Sequence, residues 1–230
     1  MLDFTNRTVL ITGANGGLGR AVTKQFLDAG ALAAGVYRSG PPPLEHERFF
    51  GIEADLSVPE GAAAAVEKAR SRTGRLDALI HLVGGFAGGK PVAQTGDATW
   101  KQMLDMNLNT AFYAMRAALP VLLAAGRGRI VAVGSRTAVE PVATLSAYGV
   151  SKAAMVALVR TVALEVKDTG VTANAVLPSV IDTPANRAAD PKADFSKWVK
   201  PESIANLILW LASDAAADVN GAAVPIYGRA

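Results

Sequence analysis

The chain has 230 residues, half of them hydrophobic and 19% charged, a composition that suits one globular domain with a sizeable core. Twenty-three Lys and Arg against 20 Asp and Glu leave a formal charge of +3, and the basic residues are scattered, so no face for tracking nucleic-acid phosphates is expected. The absence of cysteine excludes disulfides, thiolate catalysis and cysteine-based zinc sites, and no signal peptide or membrane-spanning run is expected, which makes a cytoplasmic protein without a membrane partner the expectation.

The first predicted strand, 8–12, runs into Thr12-Gly13-Ala14-Asn15-Gly16-Gly17-Leu18-Gly19 and a helix predicted over 17–29. Glycines after a strand allow a tight turn and let the backbone approach a pyrophosphate seated on the helix N-terminus. The second strand, 32–37, ends at Tyr37-Arg38 without the acidic residue that would grip free ribose hydroxyls. A guanidinium there suits a 2′-phosphate. A third strand, 49–54, leads to Asp55-Leu56 and a helix over 59–73, which Asp55 is also placed to cap.

The fourth strand, 78–83, opens a glycine-rich loop over 84–96 that carries Phe86. A helical stretch over 98–125 is long enough to contain a break. The fifth strand, 130–133, delivers Ser135, and a helix over 146–169 carries Tyr148 and Lys152 one turn apart on one face. A strand over 171–176, a long loop over 178–200 holding Phe195 and Trp198, a helix over 201–213 and a strand over 223–226 complete the chain. Apolar strands alternating with helices predict an α/β protein: a single doubly wound domain, 1–230, with a mostly seven-stranded parallel sheet and helices on both faces.

Ser135, Tyr148 and Lys152 point to carbonyl chemistry. Reducing a ketone places negative charge on its oxygen, so a proton donor must stand there. A phenol has a reference pKa of about 10. An ammonium ~4 Å away contributes up to ~4 kcal/mol at an effective dielectric of ~20, and after desolvation this predicts a phenol about two pKa units more acidic. A serine hydroxyl would share the developing charge.

The T-G-x-x-x-G-x-G turn carried by Thr12, Gly13, Gly17 and Gly19, the Tyr148-x-x-x-Lys152 pair and its step from Ser135 resemble the short-chain dehydrogenase/reductase family over nearly the whole chain. The resemblance implies a Rossmann-type domain, with Tyr148 as the acid–base group, Lys152 on the nicotinamide ribose and Asn107 organising a proton relay. It implies cofactor contacts from Thr12, Gly13, Asn15, Gly17, Leu18, Gly19, Tyr37, Arg38, Asp55, Leu56, Gly84, Gly85, Tyr148, Lys152, Pro178, Ile181 and Thr183. By the same analogy Arg38 favours NADP(H) over NAD(H), and the chain forms a homo-oligomer, a tetramer or dimer. The aromatic residues Phe86, Phe195 and Trp198 either line an apolar substrate pocket or pin their two loops to the body.

Two departures stand out. His81-Leu82-Val83-Gly84 replaces the usual N-N-A-G, and His81, as a strand histidine, is assigned no chemistry; Ser179 replaces a glycine before Thr183. Patches at 84–89, 182–187 and 193–198 resemble the quinoid dihydropteridine reductase branch. The expected function is hydride exchange between a nicotinamide cofactor and a small ketone, aldehyde or secondary alcohol. The alternatives are reduction of a quinonoid dihydropterin-like heterocycle and a non-catalytic dinucleotide-sensing module.

Overall fold

The apolar runs pair into one sheet in the computed structural model, which describes residues 2–229. Its strands are β1 (Thr8–Thr12), β2 (Leu32–Tyr37), β3 (Phe49–Glu53), β4 (Ala78–His81), β5 (Gly128–Val133), β6 (Val171–Pro178) and β7 (Ala223–Ile226). They are all parallel, in the order β3-β2-β1-β4-β5-β6-β7. The strands β1, β4, β5 and β6 are buried along their whole length, which is why they carry apolar runs without polar alternation.

Successive residues of β1 feed two different cores. Val9 and Ile11 meet Phe26 of α1 (Gly17–Asp28) and Ile204, Ile208 and Leu211 of α7 (Pro201–Leu211). Leu10 faces the opposite layer, built by α2 (Pro59–Thr73), α4 (Thr110–Ala124) and α5 (Ser146–Glu165) with Met115, Leu122, Met155 and Val159. Each such side chain contributes about 1.5–3 kcal/mol when fully buried. The helix α5 is long and apolar enough to cross a membrane, contrary to expectation, but its buried face packs on β6 and the sheet, so its apolarity is that of a core helix.

Strand order reverses between β1 and β4, and that reversal opens a crevice at the carboxyl ends of the strands. Here β4 stops at His81, two residues short of the predicted end. The Thr12 hydroxyl accepts the Leu82 and Val83 backbone N–H groups at 3.1 and 3.4 Å, drawing the chain off the ladder. The long stretch predicted over 98–125 does break: α3 (Asp97–Leu104) and α4 are joined by a π turn, Asp105–Asn109. A short helix unseen in the sequence, α6 (Pro184–Ala189), lies in the 178–200 loop, where Pro184 fits the first helical position and the Thr183 hydroxyl accepts from Asn186 N–H at 3.2 Å.

Candidate active site

The turn after β1 needs its glycines for space. Gly13 has φ 67°, in the left-handed region. A Cβ on Gly19 would collide with the Gly13 carbonyl oxygen, and one on Gly17 would lie 2.9 Å from Thr183 Cγ2. Gly16, at the N-cap of α1, supplies no side-chain cap, so the first-turn N–H groups are free to meet an anion. These features fit a dinucleotide pyrophosphate. Asn15 donates to the Ser39 carbonyl at 3.2 Å, tying the turn to the segment after β2. Leu18 is half-buried and Thr12 fully buried.

Exposed Arg38 and Asp55 share the rim beyond β2 and β3. Asp55 accepts the Ser57 backbone N–H at 2.9 Å, and this bond first, with the Arg38 charge a lesser influence, holds its carboxyl below the usual value. It therefore shapes the turn into α2, whose N-cap is Val58; Leu56 beside it is buried. The Tyr37 ring lies across Gly51 of β3, where a Cβ would stand 2.6 Å from Tyr37 Oη.

At the centre of the crevice Lys152 donates to the Val133 carbonyl oxygen at 2.9 Å. A Cβ on Gly84 would lie 2.7 Å from Asn107 Oδ1 and 2.9 Å from Lys152 Nζ, so backbone, amide and ammonium converge there. Asn107 Oδ1 accepts from Gly85 N–H at 2.9 Å, and its Nδ2 donates to the Gly85 carbonyl at 3.1 Å and to Ser151 Oγ at 3.0 Å. Ser151 donates to the Tyr148 carbonyl at 2.7 Å. Ser135 Oγ accepts both the backbone N–H and the hydroxyl of Thr137, at 3.2 and 2.9 Å, which leaves its own proton to donate outward.

The flank after β6 is built from Pro178, Ile181 and Thr183. Asn186 Nδ2 donates to the Ile181 carbonyl at 2.8 Å, and Ser179, in the place of the family's glycine, donates to the Tyr227 carbonyl at 2.6 Å. Phe86, 67% exposed, meets the Tyr148 ring edge-on at 4.9 Å. Phe195 and Trp198 pack against each other at 4.8 Å, with the Arg187 guanidinium over Phe195, an arrangement that pins their loop.

The sequence profile of short chain dehydrogenases matches residues 7–194. The chain belongs to the short-chain dehydrogenase family. It is 32% identical to the oxidoreductase YvrD of Bacillus subtilis, an alignment covering 99% of this chain and 97% of that protein. It is 27% identical to the 3-oxoacyl-[acyl-carrier-protein] reductase MabA of Mycobacterium tuberculosis, over 98% and 93%. Among solved structures, a short-chain type dehydrogenase/reductase from Mycobacterium ulcerans superposes with a TM-score of 0.92 at 27% identity, over 99% and 90%. This protein is thus an oxidoreductase with the Rossmann-type sheet of its family.

The electrostatics of this short-chain dehydrogenase differ from the sequence expectation at one point. Burial pushes the Tyr148 phenol up, and the Ser135 hydroxyl bond, pulling it down, is the smaller influence; the lowering expected from Lys152 is not seen. The reason is that Lys152 is itself desolvated, its pKa driven down to about 8, and its anchoring bond runs to Val133. Ser151, Thr137 and the Val133 carbonyl were not legible as site groups. A serine three residues after a tyrosine and a threonine two after a serine are ordinary helix and turn residues, and no pattern marks them.

Proposed function

We propose that this oxidoreductase exchanges hydride between NADP(H), favoured over NAD(H), and a small ketone, aldehyde or secondary alcohol of flat, apolar shape. The observation that carries the reading is the convergence of Lys152, Asn107 and Gly84 beside Tyr148 and Ser135, at the crevice where strand order reverses.

Bound there, the nicotinamide would supply hydride to a carbonyl carbon or take it from a carbinol. Tyr148 gives its phenolic proton to the carbonyl oxygen in the reductive direction and takes it back in the oxidative one, a role worth about 10²–10⁴ in rate. Burial of the phenol keeps that proton in place until charge develops nearby. Ser135, whose hydroxyl also bonds the Tyr148 phenol, would share the charge developing on the same oxygen. Lys152 spends one donor on Val133 and keeps two for ribose hydroxyls and the phenol. Asn107 holds Gly85 and Ser151 and so shapes the floor on which Lys152 rests. The turn over 12–19 would hold the pyrophosphate, the Asp55-Leu56 segment the adenine side, and Pro178, Ile181 and Thr183 the carboxamide. Exposed Arg38, next to Ser39, whose carbonyl accepts from Asn15 of the phosphate turn, supports a 2′-phosphate.

The edge of Phe86 on Tyr148 favours a flat substrate, so a quinonoid dihydropterin belongs in the same substrate panel. We further propose that residues 1–230 form one nucleotide-binding unit, that the protein is cytoplasmic, and that it forms a dimer or tetramer, to which exposed Phe112, Leu123 and Leu164 on α4 and α5 lend support. The test is turnover of NADPH and NADH against aldehydes, ketones, secondary alcohols and quinonoid dihydropterin, with Tyr148→Phe beside the wild type. The expected result is intact cofactor binding by Tyr148→Phe with turnover reduced about 10²–10⁴-fold. Undiminished turnover by that variant overturns the role given to the phenol.

A further inference from the structure

His81 ends β4 directly across the ladder from Thr12, at the reversal of strand order. It is 1% exposed, and each ring nitrogen meets a hydroxyl: Nδ1 lies 3.1 Å from Thr12 Oγ1 and Nε2 lies 3.4 Å from Thr110 Oγ1. The surroundings decide which nitrogen carries hydrogen. Thr110 donates its proton to the Met106 carbonyl at 2.8 Å, so its oxygen is left to accept from Nε2–H. Thr12 Oγ1 already accepts the backbone N–H of Leu82 and of Val83, so its proton is left to donate to Nδ1. The ring is therefore neutral, with its hydrogen on Nε2.

Both ends of this bridge lead into the site. Thr12 starts the phosphate turn, and Thr110 follows directly on the π turn that holds Met106 and Asn107. A π turn is rare backbone geometry and needs support from its surroundings. From Asn107 the bonds continue to Gly85, to Ser151 and from Ser151 to the Tyr148 carbonyl.

We propose that His81 is a positioning residue for the hydride-transfer reaction: as a neutral bridge from Thr12 to Thr110 it locks the π turn, and through Asn107 it sets Tyr148 and Lys152 in register with the phosphate turn. This rests on the reading of Tyr148 and Lys152 as the working pair. Burial first, and the Lys152 ammonium second, drive the imidazole pKa down to about 3, which keeps the bridge neutral at working pH.

The chain has two histidines, and His46 is exposed, so ¹⁵N imidazole NMR resolves each. His81 is expected as the neutral Nε2–H tautomer from about pH 5 to 8. Thr110→Val removes the acceptor at nearly constant volume, and Thr110→Ser restores it. In Thr110→Val the tautomer signal is expected to change and kcat to fall about 10–100-fold, with the NADPH dissociation constant within about twofold of wild type. Thr110→Ser is expected to recover both. If Thr110→Val fails to fold, His81→Gln, which keeps an N–H reaching toward Thr110, is expected to outperform His81→Leu in kcat at unchanged NADPH affinity. The proposal is overturned by hydrogen on Nδ1, by titration of His81 near its ordinary value, by an unchanged kcat in Thr110→Val, or by equal kcat in His81→Gln and His81→Leu. Tyr148→Phe in the same assay separates the two levels. Normal turnover there removes the underlying reading, whereas a dead Tyr148→Phe beside a normal Thr110→Val removes only the bridge.

Discussion

Lys152 Nζ donates to the Val133 carbonyl oxygen at 2.9 Å from a side chain that is only 6% exposed. The protein thus keeps an ammonium where burial lowers its pKa to about 8. Each pKa unit of difference between folded and unfolded chain corresponds to about 1.4 kcal/mol. Lys152 is therefore a residue held at the expense of stability. Lys152→Met removes the charge and retains the bulk, and is expected to raise unfolding free energy at pH 7 by about 1–3 kcal/mol while turnover falls at least about 100-fold. Urea denaturation and the carbonyl assay check both; a variant less stable than wild type contradicts the account.

Stability should also follow pH with a definite sign. The unfolded chain keeps the Lys152 proton to its ordinary value of 10.5 and the folded chain only to about 8. Between those values the unfolded state binds more protons, so unfolding free energy rises with pH, by up to about 1.4 kcal/mol per unit. His81 acts in the same sense lower down, with 6.5 unfolded and about 3 folded. Its contribution is complete above 6.5 and is lost as pH falls toward 3. Urea midpoints are expected to fall on acidification below about 6.5, and less steeply in His81→Gln.

Gly19→Ala is expected to damage fold and cofactor site together. Its Cβ would run into the Gly13 carbonyl oxygen, and that atom is backbone inside a tight turn, so it cannot yield as a flexible side chain would. A destabilisation of about 1–3 kcal/mol is expected, with loss of NADPH binding by fluorescence titration. Wild-type affinity in a folded Gly19→Ala would show that the turn tolerates a side chain and does not hold the pyrophosphate.

Arg38→Leu tests the nucleotide preference. A hydrogen bond to a charged group contributes about 1.5–3 kcal/mol, or roughly 10–100-fold in affinity. The dissociation constant for NADPH is expected to rise by that factor and that for NADH to stay constant. Equal changes for the two cofactors would mean that Arg38 does not distinguish them.

The glycine turn could be read from the chain because much of its constraint is local: Gly13 takes a φ of 67°, and Gly19 answers to the Gly13 carbonyl oxygen earlier in the same turn. The Tyr148 and Lys152 pair was legible for the same reason, since one helical turn suffices to align them. The substrate flank was harder. Phe86, Phe195 and Trp198 were grouped by composition, but only Phe86 meets Tyr148, while Phe195 and Trp198 pack on each other.

By itself the amino-acid order determined the parallel α/β architecture, which follows from periodicity, and it marked the glycine turn and the Tyr148 and Lys152 pair as candidates for the site. The tertiary structure alone decided their acidity and their partners. Whether a phenol is made more or less acidic, whether an ammonium retains its proton and which nitrogen of His81 carries hydrogen depend on water excluded by distant segments. Thr12 and His81, or Asn107 and Ser151, become partners only when the sheet closes and the helices settle on it.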